Sequence, residues 1–167
     1  MARFKGGKAI TMMLKRALLT CAVLLAVAQL IRPSRVNPAV DPALEIGAVE
    51  AVDPAVNAIF VRSCNDCHSY RTVWPWYSNV APVSWLIAFD ARHGREEMNF
   101  SEWGRVNSEK RAKLLRKMCK EVTEGEMPGF LYTSIHSQAR LTSADVQTVC
   151  RWTEAAAQAL PARNPAH

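Results

Sequence analysis

The first part of the chain contains one long apolar run between basic residues. It extends over residues 17–31, fifteen positions between Arg16 and Arg32, and only two of these positions are polar. A helix needs roughly 20 apolar residues to span a bilayer, so Ile10–Leu14 must extend the span while Lys15 and Arg16 reach the headgroups. The pattern favours an uncleaved membrane anchor. The alternative is a signal segment processed near Ala26-Val27-Ala28.

Four helical patterns follow an intervening stretch, residues 32–52, that contains three prolines and predicts an extended linker. Apolar residues recur at helical spacing in each pattern, and no segment shows a convincing strand alternation. The first predicted helix starts at Asp53-Pro54, and the second runs from Val83 to His93 before Gly94. The third covers Ser108–Val122 before Gly125. The fourth starts at Thr142, where Asp145 completes a capping box. Residues 53–160 are therefore expected to form one all-α domain with a single core.

Charge is concentrated at the amino terminus. The first 35 residues carry seven basic and no acidic side chains, and since the whole chain sums to +6, residues 36–167 sum to −1. Such a distribution argues against nucleic acid as a partner. Five of the positive charges precede the apolar run, so we expect residues 1–16 to stay in the cytoplasm and the rest to be exported.

The pentapeptide Cys64-Asn65-Asp66-Cys67-His68 carries the most specific chemistry in the chain. C-x-x-C-H is the pattern to which a c-type haem is attached through two thioethers, with the histidine as proximal iron ligand. A structural zinc site or a thiol redox pair is the alternative. Zinc needs two more ligands, and Cys119 and Cys150 do not form a second C-x-x-C; a redox pair would be expected in a βαβ context. The motif predicts one covalent haem c.

Haem attachment to this motif takes place on the outer face of a bacterial inner membrane. The motif and the apolar run therefore both predict export of the haem domain. We expect a single-pass inner-membrane protein whose haem domain lies in the periplasm. In that oxidising compartment Cys119 and Cys150, both on apolar helix faces, can pair. Two buried free thiols are an equally good interpretation.

The other axial position decides the role of the iron. Met127 is the preferred distal ligand, because Glu126-Met127-Pro128-Gly129 follows a helix end and can present a thioether. His136 and Met98 are the alternatives, and the site can also be open. A methionine ligand favours electron transfer.

Several stretches resemble a known family, the bacterial haem-binding domain proteins with a cytochrome-c-like fold. They cover about residues 30–155 and include Ser63–Ser69, Trp74-Pro75-Trp76-Tyr77-Ser78, Ala81-Pro82-Val83-Ser84-Trp85-Leu86, Asn99-Phe100-Ser101-Glu102-Trp103 and Glu124-Gly125-Glu126-Met127-Pro128. The resemblance implies a small helical domain wrapped around one haem and tethered to the membrane. It implies Cys64, Cys67 and His68 as the attachment motif and Met127 as the residue of a Met-Pro loop, and makes Met98 a weaker candidate.

The expected function is one-electron transfer between periplasmic or membrane redox partner proteins. No catalytic dyad is visible beyond the cofactor, so the sequence favours a carrier over an enzyme. The alternatives are a haem peroxidase or small-gas sensor with an open distal site, and a docking module in which haem is structural.

Overall fold

The computed structural model describes residues 6–161, with side chains from Ala9 onward. These residues form helices and turns without a β-strand, which confirms the all-α prediction. The helices are α1 (Gly6–Ala28), α2 (Ile46–Val49), α3 (Pro54–Ser63), α4 (Asn65–His68), α5 (Val83–Glu97), α6 (Ser108–Glu124), α7 (Phe130–Ile135) and α8 (Ser143–Ala159). Short 3₁₀ segments lie at Pro42–Leu44, Trp76–Asn79, Phe100–Arg105 and Ser137–Ala139. Residues 1–5 of the predicted basic region 1–16 lie outside the described part.

The chain divides into two compact units. The first unit combines the chain up to Arg35 with Trp74–Phe89, and the second combines Val36–Val73 with the chain from Asp90 onward. The boundary falls within α5.

In the first unit, α1 is longer than the predicted apolar run. It contains an apolar span, Ala9–Ala28, of 20 residues, which suits either a membrane span or a signal sequence. Of the helices within residues 6–161, it alone is long and apolar enough to cross a membrane. The span ends before Gln29, whose side-chain amide accepts a hydrogen bond from the Ala81 backbone at 2.9 Å and donates one to the Ala81 carbonyl at 3.2 Å. This pairing accounts for a polar residue within the predicted run.

In the second unit, α6 and α8 pack against each other and α3 packs against α8. The core is filled by Val56, Phe60, Trp103, Leu115 and Val149, each almost fully buried. The Phe60 ring lies 4.8 Å from that of Phe100 and meets the Trp152 ring edge-on at 5.3 Å, a favoured aromatic geometry.

Capping side chains and a glycine set the ends of these helices. The Asp53 carboxylate accepts hydrogen bonds from the first turn of α3, where Pro54 needs no donor of its own. Thr142 and Asp145 form the predicted capping box of α8. Gly125 ends α6 with φ +76°, a conformation that favours glycine. Asn107, and not Ser108, caps the start of α6.

Two segments differ from their predictions. The expected linker 32–52 contains the turn Pro42–Leu44 and helix α2, and Ile46 belongs to the buried core. The turn Pro42–Leu44 and helix α2 both pack on Phe100–Arg105. Helix α5 does not end at Gly94 but continues to Glu97.

Cys119 on α6 and Cys150 on α8 form a disulfide, with Cα atoms 4.8 Å apart. The sequence left this pairing open. The bond joins the two longest helices of the second unit.

Candidate functional site

A cavity of about 600 Å³ lies in the second unit. Its walls come from the end of α3, from α4, the later half of α5, one face of α6, the loop after α6 and α7. Most of the lining is apolar, and it includes Phe100, Met118, Val122, Leu131 and Leu141. The volume is typical of a site for a large organic ligand.

Both thiols of the pentapeptide face this cavity. Cys64 lies at the break between α3 and α4, and Cys67 lies on α4, so the helix predicted to run through the motif is interrupted at the first cysteine. Burial, reinforced by the neighbouring Cys67, raises the pKa of the Cys64 thiol to about 12. Burial and then Asp66 raise the pKa of Cys67 to about 11. Both thiols are therefore protonated at neutral pH.

The alternatives to haem at this motif find little support. A reactive redox pair has a cysteine with a lowered pKa, whereas the pKa values of both thiols here are raised. Within residues 6–161 no group of three or more His, Cys, Asp or Glu side chains is arranged to hold a metal ion. Haem iron does not require such a group, because the porphyrin supplies four of its ligands.

His68 is oriented by backbone carbonyls of α5 and the residue that follows it. Its Nδ1 nitrogen lies 2.9 Å from the Gly94 oxygen and 3.0 Å from the Met98 oxygen, and since both oxygens are acceptors, the Nδ1–H group donates to both. With the proton at Nδ1, the other ring nitrogen, Nε2, carries a lone pair. Burial lowers the pKa of His68, although the two carbonyl bonds oppose this effect. The ring is thus a neutral potential ligand.

Gly94 allows α5 to approach the motif closely. A Cβ atom at this position would lie 2.7 Å from the Cys67 carbonyl oxygen and 3.1 Å from the Cys67 Cβ. Only glycine fits without displacing one element from the other. The glycine interpreted as a helix end therefore serves as a contact point within the helix.

Arg95 stabilises the chain next to the motif through hydrogen bonds, a role that the sequence did not reveal. Its guanidinium donates to the Ser69 carbonyl at 2.8 Å and to the Thr72 hydroxyl at 2.7 Å. Thr72 in turn donates to the Asp66 carbonyl at 2.7 Å. These bonds fix the chain on both sides of His68.

The three candidate distal ligands occupy different places. Met127 lines the cavity and is 44 % exposed. Met98 also lines the cavity, but it is buried in the core and its own carbonyl accepts the His68 bond. His136 does not belong to the lining; its ring packs 4.3 Å from that of Tyr132.

Charged residues that the sequence did not single out also line the cavity. Asp90, His93 and Glu97 come from α5, at spacings of three and four that place them on one helix face, and Lys117 and Glu121 come from α6. Glu97 and Lys117 form an ion pair at 2.6 Å. Burial raises the pKa of Asp90. The helical spacing of Asp90, His93 and Glu97 was the sequence signal that could have identified these lining residues.

These observations fit a metalloporphyrin. A flat apolar macrocycle needs an apolar cavity, and the cavity offers two thiols and a neutral imidazole. The fold and this group of side chains define an all-α haem protein. The family model described as haem-binding domain matches residues 23–155, so the chain belongs to the haem-binding domain family. No curated protein and no solved structure matches the chain.

Proposed function

We propose that this protein is a c-type cytochrome that carries single electrons. One haem is attached through thioethers to Cys64 and Cys67, and His68 is its proximal ligand. The observation that carries the proposal is the arrangement of these three side chains on one cavity, with His68 donating through Nδ1 so that Nε2 is left for iron. When bound, haem supplies a one-electron iron couple.

Met127 is the proposed distal ligand. It follows Gly125, where the chain leaves α6, and its side chain reaches the cavity from the loop after α6. Met98 is a poorer choice because its side chain is buried in the core and its backbone carbonyl is held beside His68. His136 lies outside the lining. Methionine with histidine favours a raised reduction potential and a filled coordination sphere.

Other residues fix His68 and form the apolar core side of the site. The carbonyls of Gly94 and Met98 fix the plane and the tautomer of His68. Buried Phe100 and Met118 exclude water on the core side of the cavity. A fixed histidine and an apolar wall would reduce the rearrangement that accompanies a change of iron charge, which suits electron transfer.

The proposed location is the inner membrane, with residues 17–31 as part of the single span, residues 1–16 in the cytoplasm and the haem domain in the periplasm. Helix α1 has the required length, and the positive charges before it favour this orientation. The Cys119–Cys150 disulfide suits an oxidising compartment. The partners are then redox proteins of the periplasm or the membrane.

The proposal is tested with full-length protein matured in a host competent for cytochrome c assembly. We expect haem staining of the band on a denaturing gel, one haem per chain, and loss of the stain in the Cys64→Ala/Cys67→Ala variant. Cys21→Ala, on α1, is the matched control and should retain the stain. Colourless protein with two unmodified thiols would overturn the proposal.

Absorption spectra then separate the possible roles. A carrier shows a reversible change between ferric and ferrous spectra and little uptake of carbon monoxide. Immediate and complete carbon monoxide uptake indicates an open site, as in a peroxidase or gas sensor. A haem that no periplasmic donor reduces indicates a structural role.

A further inference from the structure

Asp66 is one of the two positions that the C-x-x-C-H pattern leaves unspecified, and it does not line the cavity. Its carboxylate is nevertheless fully engaged. Oδ1 accepts from the Val73 backbone N–H at 2.8 Å, and Oδ2 accepts from the Tyr132 hydroxyl at 2.8 Å. The second bond joins residues 66 positions apart in the chain. It connects α4 directly with α7.

Each of these two helices contains or closely follows one proposed iron ligand. Helix α4 carries Cys67 and His68, whereas α7 begins three residues after Met127. Tyr132 also lines the cavity. The Asp66–Tyr132 bond is therefore a direct link between the attachment motif and the segment that bears the proposed distal ligand.

The Met127 segment has few local restraints. Gly125 and Gly129 flank it, and nothing lies within 4 Å of a Cβ atom at either glycine. At one end, the N–H groups of Glu126 and Met127 donate to the Glu121 carbonyl at 3.0 Å and 3.2 Å. At the other end, Ile135 of α7 lies outside the cavity lining and is 63 % exposed. Burial alone fixes this end weakly, so a specific polar bond matters more.

We propose that Asp66 is a positioning residue for the distal side of the site. Through Tyr132 it holds the Met127 segment over the cavity, so that the thioether is already in place when it ligates. This inference rests on the proposed function and adds a role for a residue that the haem motif does not require. Because a hydrogen bond to a carboxylate is stronger than one between neutral groups, its loss should weaken methionine ligation by about tenfold.

The test measures competition by imidazole in the ferric holoprotein. Imidazole binds iron only when the internal ligand leaves, so a weaker internal ligand gives tighter imidazole binding. Tyr132→Phe and Asp66→Ala should each increase imidazole affinity about tenfold, and combining them should add nothing further. Asp66→Asn keeps an oxygen acceptor for Val73 and a polar group for Tyr132. Its imidazole affinity should therefore lie between that of wild type and that of Asp66→Ala.

Two measurements accompany the titration. Tyr70→Phe removes the hydroxyl of a residue that follows the motif in sequence and does not line the cavity, and it should behave as wild type. Amide hydrogen exchange of residues 129–135 reports the tie itself, and should be faster in Tyr132→Phe. Tyr132→Phe leaves the attachment motif intact, so it tests the inference even if an Asp66 variant fails to mature.

The outcomes separate this inference from the proposed function. If Met127→Ala tightens imidazole binding but Tyr132→Phe does not, Asp66 is not a positioning residue and the ligand assignment stands. If Met127→Ala does not change imidazole affinity, the ligand assignment fails. The exchange data then decide whether the Asp66–Tyr132 bond holds the Met127 segment. Unchanged exchange in Tyr132→Phe would then overturn it, and faster exchange would support it.

Discussion

A methyl group at Gly94 would lie 2.7 Å from the carbonyl oxygen of Cys67. The carbonyl of Gly94 itself also accepts the Nδ1–H bond of His68 at 2.9 Å. Helix α5 therefore touches the haem motif at its second cysteine and orients its histidine from the same residue. The fit between α5 and α4 sets the position of two of the three proposed attachment groups.

Gly94→Ala should disturb this fit. The added methyl meets backbone and not a flexible side chain, so α4 must shift, at a cost of about 1–3 kcal/mol typical of overpacking. We expect less haem per chain and a lower urea midpoint. Gly47→Ala is the matched control, because nothing lies within 4 Å of a Cβ atom there. Equal haem content and stability in Gly94→Ala and wild type would contradict this interpretation.

Met127→Ala should remove the sulfur-to-iron charge-transfer band of the ferric protein and lower the reduction potential. Met98→Leu conserves volume in the core, should cost less than about 1.5 kcal/mol, and should retain the band. Both variants are examined by absorption spectroscopy and redox titration. A band that survives Met127→Ala and disappears in Met98→Leu would transfer the distal role to Met98.

Sequence reasoning succeeded where the signal is local. The capping residues of α3 and α8 and the glycine that ends α6 are each recognised from a few neighbouring positions. Hydrophobic periodicity predicted the helix that starts at Thr142, and in that helix Val149 is almost fully buried. These features depend little on how the chain folds over longer distances.

The failures concern residues whose role depends on distant contacts. Gly94 looks like a helix end in the sequence, and its contact with Cys67, 27 positions earlier, explains why it lies within α5. Ile46 and Glu50 occur among prolines, which suggested a linker, yet both are buried. The Asp66–Tyr132 bond and the carbonyl acceptors of His68 likewise exist only in the folded chain.

Glu50→Ala should be strongly destabilising. The Glu50 carboxylate is buried, and one oxygen accepts from the Trp103 indole at 2.9 Å and from Arg111 at 3.0 Å. Its removal leaves a largely buried guanidinium without its partner carboxylate, which typically costs about 3–5 kcal/mol. Glu45→Ala breaks a more exposed pair with Arg71 and should cost about 0–1 kcal/mol. Urea unfolding of both variants provides the comparison, and equal losses would contradict the prediction.

The Cys119→Ala/Cys150→Ala variant should lose stability because the disulfide closes a loop with a sequence separation of 31. Chain entropy predicts a loss of about 3–4 kcal/mol for a loop of this length. Unfolding is compared between wild type and the variant without reductant, with Cys21→Ala as the control. Adding a thiol reductant should lower the unfolding stability of wild type to that of the variant. Reductant-insensitive unfolding of wild type would argue that the bond does not contribute.

The stability of α8 should depend on pH through Asp145. Burial opposes its ionisation, but hydrogen bonds from Thr142 and the ion pair with Arg62 at 3.0 Å outweigh burial, so the pKa of Asp145 lies below its ordinary value. A carboxylate with a lowered folded-state pKa contributes stability above its unfolded pKa. That contribution is lost as the pH falls through the folded value. The capping box and its ion pair should therefore weaken in acid.

Asp145→Asn tests this dependence. At pH 7 the variant should be less stable than wild type by about 1 kcal/mol, the usual value of a helix cap, and the difference should shrink as the pH falls toward 3. Glu154→Gln makes the same charge change on the exposed face of α8 and should stay within about 0.5 kcal/mol of wild type. Urea unfolding at a series of pH values gives both differences. A difference for Asp145→Asn that stays constant from pH 7 to 3 would show that the carboxylate charge does not stabilise α8. The capping box would then act through neutral hydrogen bonds alone.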